Sequence, residues 1–263
     1  MSGAQPAVFF GHGSPMNTLE RNRHTDAWRR FGNDGPRPAA ILAVSAHWYI
    51  RGAAVTAMAK PQTIHDFGGF PPALHAVQYP APGDPALAAR VRDLLAPVDV
   101  RMDQEWGLDH GTWSVLAHAY PEADVPVVQL AIDRTQPGSF HYELGRRLAP
   151  LRDEGVMIVG SGDVVHNLRV IQWGTDAVTY PWATQFNDAF REHMQRREHA
   201  PLIDYEAMGE AARLSNPTPD HYLPALYVLG AQRDGDETSI ITDGIELGSI
   251  SMLSFAFGAN GRA

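Results

Sequence analysis

The sequence has no cysteine among its 263 residues. Disulfide frameworks, cysteine-based zinc fingers, iron–sulfur clusters, haem–thiolate sites and catalytic thiols are therefore excluded. If the protein binds a metal ion, its side chains must hold that ion through nitrogen and oxygen atoms.

Basic residues are in short supply, since 21 Lys and Arg stand against 30 Asp and Glu and give a formal net charge of −9. This balance argues against non-specific binding to nucleic acid or anionic lipid. No apolar stretch approaches the roughly 18 residues of a membrane span. The first residues, MSGAQPAVFF, lack the basic segment and long apolar core of a secretory signal. We therefore expect a cytoplasmic protein with no nucleic-acid or membrane partner.

Apolar residues make up 44% of the chain, which is enough for a sizeable packed core. No internal repeat, low-complexity tract or linker divides the sequence, so we expect one domain over residues 1–263. Short apolar, β-branched runs predict strands that are covered on both faces. These runs are Ala7–Phe10, Ala40–Ser45, Ala53–Ala57, Val98–Met102, Val125–Ile132, Val156–Gly160 and Ile250–Phe257.

Segments with helical spacing lie between these runs. Asp84–Ala96 opens with a capping Asp followed by Pro, and Thr218 is expected to cap a late helix, Pro219–Leu229. Further helices are predicted at Ser139–Leu151, Trp182–Arg197 and Pro201–Leu214. Because strands and helices alternate, we predict an α/β fold with a largely parallel central sheet and helices on both faces. The last apolar run is expected to be an edge or antiparallel strand.

Three loops that follow predicted strands each carry a histidine: His12 in FGHGSP, His47 in SAHW and His166 in GSGDVVHN. The carboxyl ends of parallel strands meet at one edge of a sheet, where ligands bind, so these histidines are expected to converge there. A single histidine after a strand is more often a loop residue bonded to a carbonyl group. Three with the same placement favour a metal site.

Alternatives exist for the individual motifs. GHGSP could hold a phosphate, but it lacks the Lys and the glycine spacing of a P-loop and supplies only half of the dinucleotide fingerprint. His110 in GLDHGTW is expected in a turn before a helix, and His221 in NPTPDHYLP in the first turn of the late helix. The adjacent Asp109 and Asp220 are expected to cap helices or form turns.

Seven motifs in colinear order carry a family resemblance: GHGSPMNTLE, SAHWY, TIHDFGGFP, QYPAPG, GLDHGTW, VVHNLR and NPTPDHYLP. Together they resemble the 4,5-DOPA extradiol dioxygenase family, which belongs to the class III ring-cleaving catechol dioxygenases of the protocatechuate 4,5-dioxygenase β-subunit type. The resemblance covers nearly the whole chain. It implies a single α/β domain with one non-haem Fe(II) at the carboxyl ends of the strands.

Carried onto this sequence, the resemblance implies that the metal ligands are His12, His47 and His221. The wider class III pattern has a carboxylate as its third ligand, where this sequence has His221. A site of three histidines also suits Zn²⁺. Asp220 offers a neighbouring carboxylate, although consecutive helical residues point about 100° apart.

The resemblance further implies that His166 is the acid/base residue beside the metal and that His110 contacts substrate and oxygen. A neutral imidazole can accept a proton from a catechol and later return one. Substrate-binding residues on the pocket loop are implied to be His65, Phe67 and Tyr79. Asp163 stands where the family favours an amide, and its carboxylate is expected to raise the pKa of His166.

We therefore expect a non-haem Fe(II)-dependent extradiol dioxygenase that opens the ring of a substituted, DOPA-like catechol with O2. The alternative is a zinc-dependent hydrolase that uses the same histidines, because Zn²⁺ lowers the pKa of bound water to about 7. A non-enzymatic binding protein on the same scaffold is a third hypothesis, and the five candidate histidines argue against it. The sequence leaves the physiological substrate and the oligomeric state open.

Overall fold

The computed structural model describes residues 4–174 and 176–259. The strands are β1 (Ala7–Gly11), β2 (Ala40–Ile50), β3 (Ala53–Thr56), β4 (Val100–Asp103), β5 (Val127–Asp133), β6 (Val156–Gly162), β7 (Thr238–Thr242), β8 (Ile245–Glu246), β9 (Ile250–Ser251) and β10 (Ser254–Phe257). The helices are α1 (Arg23–Asp34), α2 (Pro72–His75), α3 (Pro85–Leu95), α4 (His110–Ala119), α5 (Gly138–Leu148), α6 (Pro181–Gln195), α7 (His199–Ile203), α8 (Glu210–Ser215) and α9 (Leu223–Gly230).

Eight strands form the central sheet, in the order β4-β3-β5-β2-β6-β1-β10-β7. Its middle is parallel, because β2 pairs in parallel with β5 and β6, and β6 with β1. β10 runs antiparallel to β1, and β7 antiparallel to β10. β3 joins β5 through one antiparallel bridge and pairs in parallel with β4. The predicted α/β fold with a largely parallel sheet is confirmed, as is the antiparallel last strand.

Helices cover both faces of the sheet, and alternate residues of each central strand enter two separate cores. Ala7 and Phe9 of β1 pack into the core that includes residues of α3, α5, α6 and α9. Val8 and Phe10 pack into the opposite core, with residues of α1 and α4. Burial on both faces explains why the strands are continuously apolar. Among the described residues, no helix is long and apolar enough to cross a membrane.

Two predicted helices differ from the structure. Pro201–Leu214 is interrupted: α7 and α8 are separated by a 3₁₀ turn that ends at Gly209, whose φ of 105° is unsuited to a continuing helix. Helix α9 begins at Leu223 instead of Pro219, so Thr218 does not cap it. The amides of Tyr222 and Leu223 donate to the carbonyl of Pro219 and close a turn. His221 therefore lies in that turn, just before the helix.

Strand β2 extends beyond the predicted end at Ser45 and continues to Ile50. Its register against β5 shifts between Val44 and Tyr49. Such an irregularity re-aims the side chains of a strand. His47 consequently lies within β2, close to the carboxyl ends of β1 and β6.

Candidate metal centre

A cavity of about 860 Å³ opens at the carboxyl ends of the central strands. His12 follows β1, His47 belongs to the last part of β2, and His166 follows β6. The turn before α9 and the first turn of α4 bring in two more imidazoles from outside the sheet. All five candidate histidines line this cavity, namely His12, His47, His110, His166 and His221. The predicted convergence at one sheet edge is confirmed.

Three of these imidazoles form a cluster of the kind that holds a metal ion. One ring nitrogen from each of His12, His47 and His221 lies within 4.8 Å of the others. The Nε2 atoms of His12 and His47 are 3.5 Å apart. Nitrogen donors at this spacing suit a first-row divalent cation such as Fe(II) or Zn²⁺.

The Nδ1 atom of each ligand candidate is held from behind by an oxygen atom. His12 Nδ1 lies 2.9 Å from Ser161 Oγ, and His47 Nδ1 lies 3.3 Å from Asp66 Oδ2. His221 Nδ1 is bonded to the carboxylate of Asp220. Such partners fix the orientation and the tautomer of metal-binding imidazoles.

The partners of the Nδ1 atoms favour one tautomer of each imidazole. The hydroxyl of Ser161 donates to the carbonyl of Gly111, so its oxygen accepts the Nδ1 proton of His12. The carboxylates of Asp66 and Asp220 can only accept, so the Nδ1 atoms that face them carry the protons. The three Nε2 atoms are left with lone pairs that can bind a cation. The donor set present therefore fits a divalent metal.

The electrostatics keep these imidazoles neutral. Burial, reinforced by the neighbouring imidazoles, lowers the pKa of His12 and of His221 well below the ordinary value. Burial and the nearby His110 lower the pKa of His47 to about 3, against the opposing pull of Asp66. At neutral pH each of these imidazoles is thus neutral and keeps one nitrogen lone pair that can bind a cation.

Asp220 lies in the turn that precedes α9, as one of its two predicted roles has it, and does not cap the helix. Its carboxylate bonds the Nδ1 atom of His221. Asp109 behaves as predicted: it caps α4, accepting from the amide of Thr112. His110 is the first residue of α4 instead of lying in a turn before it.

His166 and His110 occupy the cavity wall beside the cluster. The ring of His166 lies against that of His221, and the rings of His110 and His47 have centroids 3.8 Å apart. Burial lowers the pKa of His166 to about 4, with Asp220 opposing that shift. The prediction that Asp163 raises this pKa is wrong, because Asp163 is fully buried and burial raises its own pKa well above the ordinary value.

Asp66 is a further candidate site residue, which no motif in the sequence distinguishes. Besides facing His47, its carboxylate lies 2.9 Å from His110 Nδ1 and accepts from the backbone amide of His110. Burial opposes ionisation of Asp66, but the bonds and charges of His110 and His47 prevail and lower its pKa to about 2. Asp66 thus links a ligand candidate to the proposed substrate contact. It stands next to His65 in TIHDFGGFP, and no sequence signal distinguished the two.

Of the three predicted substrate-binding residues, one lines the cavity and two do not. Phe67 lines the cavity, with its ring centroid 5.3 Å from that of His110. His65 does not reach the cavity, and its Nε2 atom is bonded to the carbonyl of Val77. Tyr79 is only 2% exposed and donates its hydroxyl to the carbonyl of Tyr120. These two side chains anchor the loop that carries Phe67.

The outer wall of the cavity is apolar. Two segments supply it, one around Phe67 and Phe70 and the other following β6. From the second segment Leu168, Ile171 and Trp173 face the space. Among the described residues that line the cavity there is no Lys, Arg, Asp or Glu. The site thus combines a polar floor of imidazoles with an uncharged wall.

Comparison with known proteins identifies the family. Residues 8–258 match the family described as the catalytic LigB subunit of aromatic ring-opening dioxygenase. A 4,5-DOPA dioxygenase extradiol of Escherichia coli is 55% identical over 261 residues, which cover 98% of this chain and 96% of that protein. Another from Beta vulgaris is 36% identical over 258 residues, covering 95% of each chain.

A solved structure shares the fold. The crystal structure of an uncharacterized protein from Escherichia coli aligns with a TM-score of 0.86 at 50% identity and covers 97% of this chain and 100% of that one. The family match and these likenesses span the strands and loops that build the histidine cluster. The chain therefore belongs to the LigB family of aromatic ring-opening dioxygenases, as its seven motifs predict.

Proposed function

We propose that this protein is an Fe(II)-dependent extradiol dioxygenase that opens the ring of a substituted catechol with O2. The observation that carries the proposal is the convergence of three imidazoles, from His12, His47 and His221, whose ring nitrogens lie within 4.8 Å of one another in the wall of one cavity. The names of the relatives point to L-DOPA as the first catechol to test.

The proposed metal ligands are the three histidines of the cluster. Fe(II) bound there would supply the redox chemistry that couples an electron-rich ring to O2. Three neutral imidazoles leave the positive charge of the cation largely uncompensated, which favours an anionic catecholate over the neutral diol. The partners of the Nδ1 atoms keep the ligands fixed while the substrate enters.

His166 is the proposed acid/base residue. It lines the cavity and its ring contacts that of His221, so a catechol on the floor of the cavity comes within reach of it. A neutral imidazole there can accept the proton of a catechol hydroxyl and later return it, a contribution of about 10²–10⁴-fold to the rate. His110, fixed by Asp66, is placed to hydrogen-bond the oxygen atoms of the substrate. Phe67 offers its ring to the face or edge of the catechol.

The test begins with protein purified without oxygen and loaded with Fe(II). An oxygen electrode and the absorbance of the ring-opened product follow L-DOPA and a panel of simpler catechols. We expect one O2 consumed for each catechol lost. A zinc-loaded sample, assayed with ester and amide substrates, is the control. Hydrolysis by that sample, together with no O2 uptake by the iron-loaded protein, would replace the proposal with the zinc-dependent hydrolase.

A further inference from the structure

Large apolar side chains line the cavity where it opens to solvent. Leu168 is 57% exposed and Trp173 is 72% exposed, and both belong to the cavity wall. Ile171 lies between them in the sequence and continues the same wall. Exposed apolar side chains that are grouped at the rim of a pocket mark a surface that a ligand or partner covers. Because this surface faces into the cavity, the molecule that covers it is the ligand of the cavity.

Hydrogen bonds hold the backbone that carries this surface. The amide of Gln172 donates to the carbonyl of Leu247 at 2.9 Å. The side-chain amide of Gln172 bonds both the carbonyl and the backbone amide of Val178, at 3.0 and 2.9 Å. Leu168 and Trp173 therefore project from a backbone that is held in place, and the apolar surface is present before a ligand binds. A surface formed in advance lowers the entropy lost on binding.

The cavity is much larger than a catechol ring. Its volume is about 860 Å³, whereas a cavity of about 150 Å³ is sufficient to bind benzene. In a 4-substituted catechol the substituent lies on the side of the ring opposite the diol. With the diol at the histidine cluster, as the proposed function requires, the substituent extends away from the polar floor and towards the apolar wall. The remaining volume accommodates a chain of several atoms.

The surroundings of such a substituent are uncharged. The described lining of the cavity contains no Lys, Arg, Asp or Glu. Ser14 offers a neutral hydroxyl there, whose oxygen accepts from the amide of Met16. A carboxylate or ammonium that is buried against this wall finds no counter-ion, and an unpaired buried charge is costly. If the charged group stays hydrated at the opening instead, the apolar wall remains exposed to water.

We infer that the preferred substrates of this site are catechols whose ring carries an uncharged, apolar substituent, and that the wall of Leu168, Ile171 and Trp173 selects for it. This inference rests on the proposed dioxygenase function, whose metal site would hold the diol. It departs from the substrate in the names of the relatives. The amino-acid group of L-DOPA carries a carboxylate and an ammonium, and this wall offers neither of them a partner.

The test compares four catechols with substituents of similar length: 4-propylcatechol, 3-(3,4-dihydroxyphenyl)propionate, dopamine and L-DOPA. Iron-loaded protein gives kcat/KM from O2 uptake, and calorimetry on zinc-loaded protein gives dissociation constants without turnover. Burial of each methylene favours an apolar chain about fourfold, so two buried methylenes give more than about tenfold. We expect 4-propylcatechol to exceed each of the other three by more than about tenfold in both measurements.

The two singly charged catechols separate the wall from the long-range field. The propionate is an anion and dopamine a cation, so the net charge of −9 acts on them in opposite directions. A disadvantage of both relative to 4-propylcatechol is therefore due to the uncharged wall. A disadvantage of the propionate alone would be due to the field and would overturn the inference.

Leu168→Lys tests the wall directly, because it places a cation in the lining. The ratio of kcat/KM for the propionate to that for 4-propylcatechol should rise at least about threefold, as expected for an exposed ion pair. The same ratio for dopamine should not rise. The matched control is Val178→Lys, since Val178 is 71% exposed but does not line the cavity. Its ratios should stay within about twofold of the original. Melting temperatures show that both variants are folded.

The outcomes separate this inference from the proposed function. O2 uptake that is as efficient with L-DOPA as with 4-propylcatechol overturns the preference for apolar substituents and leaves the dioxygenase function intact. An equal rise of the propionate ratio in Leu168→Lys and Val178→Lys overturns the role of the wall. No O2 uptake with any of the four catechols overturns the proposed function, and the dissociation constants of the zinc-loaded protein then still decide whether the cavity prefers an apolar chain.

Discussion

The imidazoles of His166 and His221 lie face to face, with ring centroids 3.5 Å apart and planes 7° from parallel. One ring belongs to the proposed acid/base residue and the other to a proposed metal ligand. Because the rings are in contact, the distance between the proton acceptor and the metal site is set by packing. The contact joins two segments that are distant in the sequence, since His166 follows β6 and His221 precedes α9.

This contact allows proton transfer to be separated from packing. His166→Phe keeps an aromatic ring beside His221 but cannot carry a proton. We expect kcat to fall about 10²–10⁴-fold, the usual contribution of an acid/base group, while iron content stays unchanged. The measurement combines O2 uptake with iron analysis. Turnover close to the original level would show that His166 does not transfer the proton.

Removing a proposed ligand should lower the metal content, which His166→Phe is expected to leave unchanged. In His47→Ala we expect metal affinity to fall by more than about 100-fold, since the loss of a direct ligand exceeds that of an outer partner. Metal per chain after dialysis is the readout. His75→Ala is the control, because His75 is exposed and does not line the cavity. Full metal occupancy in His47→Ala would remove His47 from the ligand set.

Asp66 should act through the histidines that it holds. Asp66→Asn keeps the size of the side chain but replaces one acceptor oxygen with an amide that cannot accept a proton from His47 or His110. We expect metal affinity to fall about 10–100-fold, as for other outer partners of metal ligands. Chelator competition measures the loss. An unchanged affinity would mean that the contact with His47 does not orient the ligand.

The apolar wall predicts how rate depends on the substituent of the catechol. Trp173 is 72% exposed, so an alkyl chain that covers it and Phe70 removes apolar surface from water. Burial of one methylene is worth about 0.8 kcal/mol, so each methylene added between 4-methylcatechol and 4-propylcatechol should raise kcat/KM about fourfold.

The variant Trp173→Ala should lower this factor and leave unsubstituted catechol within about twofold of the original rate. Values of kcat/KM for the series, measured on both proteins, provide the check. A rate that is independent of chain length would show that the substituent does not meet the wall.

A buried histidine outside the cavity should make the free energy of unfolding depend on pH. His141 is buried and bonded to the hydroxyl of Tyr227, and burial lowers its pKa to about 4. At pH values between about 4 and the ordinary pKa of 6.5, this histidine binds a proton in the unfolded chain but not in the folded protein. Its contribution to the free energy of unfolding is therefore complete above pH 6.5 and decreases as the pH falls. From pH 7 to pH 5 the loss from this residue is about 2 kcal/mol.

Urea unfolding at the two pH values tests this expectation. His141→Gln has no group to titrate, so its free energy of unfolding should fall less on acidification than that of the original protein. The histidines in the metal site contribute equally to the pH dependence of both proteins. Their contribution therefore cancels when the changes in unfolding free energy between pH 7 and pH 5 are compared. Equal slopes would contradict the role assigned to His141.

The alternation of strands and helices was sufficient to predict the sheet and the edge at which His12, His47 and His166 gather. It could not separate Asp66 from His65, because adjacent loop residues point in directions that only the folded loop defines. The partner of His12 was equally hidden: Ser161 lies in β6 and reads as part of a buried strand. Helix α9 began later than predicted, because Pro219 closes a turn, and that turn sets the position of His221.

The uncharged wall has a consequence for the end of the proposed reaction. Extradiol opening turns a neutral diol into an acid, and the wall offers that acid no Lys or Arg as a counter-ion. The net charge of −9 repels the same anion at longer range. The uncharged wall that contacts the aromatic substrate therefore binds the anionic product weakly. The negative charge that ring cleavage creates thus favours release of the ring-opened acid.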